Sequence, residues 1–151
     1  MKLRLSLLAL TLILSACLPA TPLPPIIAEV GSEFTLGPGQ TATITGSGLT
    51  IQLVAVTDDA RCPIDVECYA TGPVTFTISV QQGSASPVEF VMRTFTNYDG
   101  RAPEGSFEGI QDRIEVGDYL IRVVGALPHP QGFGDEIKAS EFRLTFIVTE
   151  K

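Results

Sequence analysis

Residues 73–80, PVTFTISV, decide how the rest of the chain is read. Val74, Phe76, Ile78 and Val80 alternate with Thr75, Thr77 and Ser79. Successive side chains of an extended strand point to opposite faces, so this period of two means a strand with one face buried and the other in water. Residues 142–148, FRLTFIV, repeat the pattern: Phe142, Leu144, Phe146 and Val148 form the apolar set, with Arg143 and Thr145 between. Working outward, LTIQLVAV sets Leu49, Ile51 and Leu53 on one face. TATI, VEFVMRTF and DYLIRVVGAL are further strands with less regular alternation, and EFTL and residues 113–116 are short ones.

Turn formers separate these runs: Gly37-Pro38-Gly39, Gly46-Ser47-Gly48, Gly72-Pro73, Gln82-Gly83-Ser84, Asp99-Gly100 and Gly117-Asp118. Glycine supplies positive φ and proline presets one turn angle, so short strands reverse direction there. No segment after the leader carries a helical stripe. The expected fold is all-β: an antiparallel β-sandwich, immunoglobulin-like or jelly-roll-like, of about seven to nine short strands, with a partly open barrel as the alternative. The longer connections, residues 96–109 and 127–136, are the expected place for a binding surface.

The chain opens MKLRLSLLALTLILSAC, where Lys2 and Arg4 precede an apolar run ending in small residues. Those features define an export signal over residues 1–16. The run is about half of the roughly 20 residues a membrane-spanning helix needs. Leu14-Ser15-Ala16-Cys17 resembles the lipobox of bacterial lipoproteins. That resemblance implies a diacylglyceryl group on the Cys17 thiol, cleavage just before it, and a protein held at a membrane by its N-terminal lipid. Leu18, where an aspartate would imply inner-membrane retention, permits the outer membrane. The expected address is therefore the bacterial cell membrane or outer membrane, facing the periplasm or the cell exterior.

Residues 17–28 follow as a lipidated, proline-rich stalk with Pro19, Pro22, Pro24 and Pro25, and residues 29–151 as the β domain. Without Lys2 and Arg4 the basic residues number 10 − 2 = 8, and the formal charge is 8 − 17 = −9. Such a surface repels nucleic acid and anionic headgroups, which leaves another envelope protein or a small ligand as the expected partner.

With Cys17 spent on lipid, Cys62 and Cys68 are an even pair in an oxidising compartment and are expected to form a disulfide that staples the crossing between two strands. Cys-x5-Cys with one distant histidine does not make a zinc site. A redox pair would have tighter spacing and a depressed thiol pKa, which the neighbouring carboxylates oppose. Asp58, Asp59, Asp65 and Glu67 are candidate calcium ligands, although the run lacks an EF-hand pattern and reads equally as a solvated acidic loop. Asp58, Arg61, Cys62, Pro63, Cys68 and Gly72 together resemble a group of small, β-rich bacterial envelope lipoproteins carrying a D-x-x-R-C-P…C-x-x-x-G loop. Ala70 stands where those proteins often have tryptophan. The resemblance implies a fold and an address and brings no activity.

His129, the one histidine, sits between two prolines and has no nucleophile elbow to serve, so it reads as a surface loop residue and, with Arg61, as a candidate for binding. No glycine-rich phosphate loop or other cofactor motif is present. A carboxylate pair for glycoside hydrolysis depends on three-dimensional separation, which counting acids does not give. Tyr98, Phe107 and Phe133 fall in expected loops, where they form either an exposed contact patch or a cover for the sandwich edges. Arg61, beside a stapled loop, is placed to mimic a protease substrate held rigid. The sequence favours a non-enzymatic binding or structural module, with a small carboxylate-dependent hydrolase and a tethered protease inhibitor as alternatives.

Overall fold

The structure, a computed structural model, describes residues 22–151, so the leader and Cys17 lie outside the described residues. In chain order the strands are β1 (Ile26–Glu29), β2 (Glu33–Leu36), β3 (Thr41–Thr45), β4 (Leu49–Asp59), β5 (Val74–Gln82), β6 (Val88–Thr94), β7 (Arg113–Val116), β8 (Tyr119–Leu127) and β9 (Arg143–Glu150). They form a five-stranded sheet, β1-β3-β4-β5-β6, and a four-stranded sheet, β2-β9-β8-β7. The fold is an all-β sandwich of two separate sheets. A single 3-10 turn, Ala139–Glu141, is the one helical element among the described residues. β3 to β6 and β7 to β9 each run up and down between neighbours, without the interleaving of strands between sheets seen in immunoglobulin-type sandwiches.

The alternation read from β5 and β9 holds. Phe76 and Ile78 on β5 and Leu144, Phe146 and Val148 on β9 are fully buried, and the residues between them are not. Phe146 links the layers: it stacks on Phe34 of β2 and meets Phe76 of the opposite sheet edge-on, with both ring centroids 5.9 Å away. Edge-to-face contact suits the ring quadrupoles and adds to the burial of apolar area.

β1 is the departure from expectation. Ile26–Glu29 pairs in parallel with β3, Ile26 opposite Ala42 and Glu29 opposite Thr45. The domain therefore begins at Ile26, inside the segment assigned to the stalk. The physical reason is local: the last proline is Pro25, the β-branched Ile26 and Ile27 favour extended pairing, and Ala28 is buried in the core. Gln40 Nε2 donates to the Pro24 carbonyl at 2.8 Å, so the chain is already fastened before β1 starts.

β4, β6 and β8 end, and β5 and β9 begin, at the same end of the sandwich. The connections 60–73, 95–112 and 128–142 gather there as a loop pole. β4 reaches it through two bulges, between Leu53 and Ala55 and between Val56 and Asp58. Each bulge reverses which side chains face inward. Val56 consequently sits opposite Phe76, and Asp59 opposite the buried Val74.

Candidate functional site

Asp59, turned inward by the second bulge, meets Arg61. The guanidinium is gripped side-on: Nε donates to Asp59 Oδ1 at 2.7 Å and Nη2 to Oδ2 at 2.6 Å. Nη1 donates to the Ala126 carbonyl at 2.9 Å and the Thr96 hydroxyl at 3.3 Å, and Nη2 also reaches the Pro128 carbonyl at 2.8 Å. All five N–H donors of the fork are thereby used. Arg61 is only 3% exposed. A side chain sealed in this way is not presented to a protease, which corrects the inhibitor reading and removes Arg61 from the candidate binding residues. It acts instead as a clasp, tying the disulfide loop to the ends of β6 and β8.

His129 is also corrected, from surface residue to buried prop at 4% exposure. Its Nε2 sits 2.8 Å from the Cys62 carbonyl, an acceptor only, so Nε2 carries the hydrogen and donates. Nδ1 is buried without a hydrogen-bond partner among the described residues. Tyr98 packs edge-on against the ring, centroids 5.4 Å apart. The Cys62–Cys68 disulfide is present, Cα atoms 6.0 Å apart. Its loop is stitched to the 128–131 segment by Ile64 N to Pro130 O at 3.0 Å and Asp65 N to Gln131 O at 2.9 Å. Gly72 closes the loop by donating to Ala60 O at 2.9 Å; a Cβ there would lie 2.5 Å from that same oxygen, so only glycine fits.

The 95–112 connection is pinned to β8 along part of its length. Arg101 bridges to Gly125, Ala102 N donates to Val124 O at 2.9 Å and Ala126 N to Gly100 O at 2.8 Å. The buried Asp112 carboxylate holds Arg113 at 2.9 Å and Arg122 at 3.5 Å. Arg101 reaches across the outer face of the four-stranded sheet to a two-pronged pair with Glu33, at 2.7 and 2.8 Å. The hydrogen bond from Arg101 holds the Glu33 carboxyl below its ordinary value, against the opposing effect of desolvation and with the added attraction of the Arg101 charge.

Two clefts flank the disulfide loop. The larger, about 660 Å³, lies against the 132–139 segment and is lined by the buried or half-buried Val56, Val66, Ile137 and Phe142 together with the exposed Asp58, Asp135 and Glu136. The smaller, about 530 Å³, is mostly apolar and is lined by Phe95, Ala102, Pro103 and Phe107. Phe133 is 93% exposed beside the larger cleft. Tyr98 and Phe107 are exposed as well, though each leans on a ring partner; Phe107 meets Phe95 edge-on at 5.9 Å. Fully exposed Tyr69 and exposed Ile64 on the disulfide loop join them. The sequence reading passed over both, because they lie in an acidic run without strand periodicity.

The proposed calcium ligands do not assemble. Both oxygens of Asp59 belong to Arg61, and among the described residues no three His, Cys, Asp or Glu side chains group as a metal site. No helix among the described residues is long and apolar enough to cross a membrane. No protein-family model matches this chain, and neither a curated protein nor a solved structure matches it.

Proposed function

We propose that this chain is an exported, lipid-tethered module of a bacterial envelope that binds another protein through its loop pole and catalyses nothing. The observation that carries this reading is a division of labour at the pole. Arg61, Asp59 and His129 are consumed in holding three connections together, while Phe133, Tyr69 and Tyr98 stand in water beside two clefts. Exposed aromatics on a rigid frame suit recognition, because they bring large contact area at small entropy cost on binding. The apolar leader of residues 1–16, with its small residues Ser15 and Ala16 just before Cys17, supports the tether.

The binding half is tested by placing a photo-crosslinking phenylalanine analogue at Phe133 and, as control, at Ser84 in the turn at the opposite pole. Adducts with a discrete partner in intact cells are expected from position 133 alone. Equal adducts from both positions would reject the loop pole as the binding surface. For the tether, Cys17→Ser is expected to move the protein from the membrane to soluble fractions, and unchanged membrane association would exclude the lipid anchor. A hydrolase is the second reading, favoured by the cleft that Asp58, Asp135 and Glu136 share. Turnover of a fluorogenic glycoside that disappears in Asp58→Asn would establish it over the binding module.

A further inference from the structure

We infer that the larger cleft receives a short basic segment of a partner protein, its lysine or arginine set against the cleft carboxylates and an apolar neighbour against the apolar lining. The inference rests on the loop pole being a binding surface and adds the chemistry of the occupant.

Charge chooses the sign. The cleft is lined by Asp58, Asp59, Asp135 and Glu136 against Arg61 alone, a formal balance of 1 − 4 = −3. Asp59 and Arg61 neutralise each other at 2.6 Å, which leaves three carboxylates for a visitor. None of those three makes an ion pair among the described residues. Asp135 uses Oδ2 to accept from Gly132 N at 3.0 Å, so the carboxylate is held in place with Oδ1 uncommitted. The nearest basic residue in sequence, Lys138, does not line the cleft. An anion would find no cation there, since every donor of Arg61 is taken.

Shape and apolar lining choose the rest. A volume of about 660 Å³ lies within the range of specific binding clefts. Val56, Val66, Ile137 and Phe142 give the lining an apolar character that a bare metal or simple ammonium ion would not use. Phe133, almost wholly exposed between Gly132 and Gly134, has no ring partner among the described residues, and the positive φ of Gly134, 87°, bends the chain just beyond it. An aromatic face beside carboxylates is the arrangement that attracts a Lys or Arg head group twice over, by charge and by the ring quadrupole. A lipid surface is a poor occupant, because the acids that attract a basic peptide repel anionic headgroups.

The chain contains no tryptophan, so a tryptophan-bearing peptide reports its own binding without background. The full-length protein in non-ionic detergent is titrated with acetyl-Lys-Trp-Lys-amide and with acetyl-Glu-Trp-Glu-amide, following tryptophan emission. Binding is expected for the lysine peptide alone, weakening roughly 10-fold between low and high salt as exposed charges are screened. Asp58→Asn combined with Glu136→Gln is expected to weaken it by at least about 10-fold, and Phe133→Ala by roughly 5-fold. These positions are exposed, and circular dichroism checks that each variant retains its fold. Equal binding of both peptides, no binding of either, or binding unchanged in the double variant overturns the inference. Partner adducts at Phe133 with no lysine-peptide binding would reject the basic occupant and leave the loop-pole reading standing; absence of both would reject the two together.

Discussion

Arg61 is the residue on which the loop pole depends. Its fork joins Asp59 to Thr96, Ala126 and Pro128, partners 35, 65 and 67 residues distant along the chain. Replacing it by methionine removes those bonds and strands a largely buried carboxylate, at a cost of about 3 kcal/mol. Urea unfolding of Arg61→Met measures that loss. Arg61→Met with Asp59→Leu is expected to recover part of it, because no unpaired charge remains. Gly100 is constrained differently: its φ of +75° is left-handed, and a Cβ there would lie 2.8 Å from the Ala126 carbonyl. Gly100→Ala is expected to lower stability by about 2 kcal/mol, with thermal unfolding as the measurement. For Glu33 the sign follows from a folded pKa below the unfolded one. Its pair with Arg101 contributes stability above the ordinary value of 4.5 and loses it as the pH falls through the lower folded value. In Arg101→Gln, stability should therefore decline less steeply as the pH is lowered through that window. An unchanged slope would show that the pair contributes nothing to folding.

At the scale of elements, the strands with clean alternation were legible because their spacing expresses the layer they cover, and β5 and β9 lie where that spacing puts them. β1 was not legible. Four residues directly after two prolines carry too short a period to separate a strand from a stalk, and their partner, β3, is fixed by tertiary pairing. The site divides along the same line. A disulfide between Cys62 and Cys68 follows from counting. The two bulges of β4 reverse its facing and then restore it, so Asp59 lies on the face of Leu53 as simple alternation would have it, but no local signal announces the inward turn of Val56 or the burial of a guanidinium against Asp59. Arg61 and His129 were misread as exposed for the same reason: their acceptors are backbone carbonyls from other elements, which a sequence does not display. Removing the staple with Cys62→Ala and Cys68→Ala frees a short ring in the unfolded chain. It is expected to cost about 2 kcal/mol, with the far-ultraviolet spectrum of the sheets retained. A collapse of that spectrum would mean the loop organises the sheets as well as the pole.

For the whole molecule, the core is one cluster drawn from both layers, so a cut at its centre is felt throughout. Phe146→Ala, which deletes the ring shared by Phe34 and Phe76, is expected to cost about 3–5 kcal/mol in chemical unfolding, a large part of the stability of an ordinary domain. The parallel docking of β1 has a mechanical consequence. The chain enters β1 at the end where β3 begins, on the loop-pole side, and β9, which runs in the same direction as β1, delivers Lys151 to the far end of the sandwich. Tension applied between the two termini thus runs along the strands. It loads the four β1–β3 residue pairs in shear, all sharing the force at once, where an antiparallel first strand would have been unzipped one pair at a time.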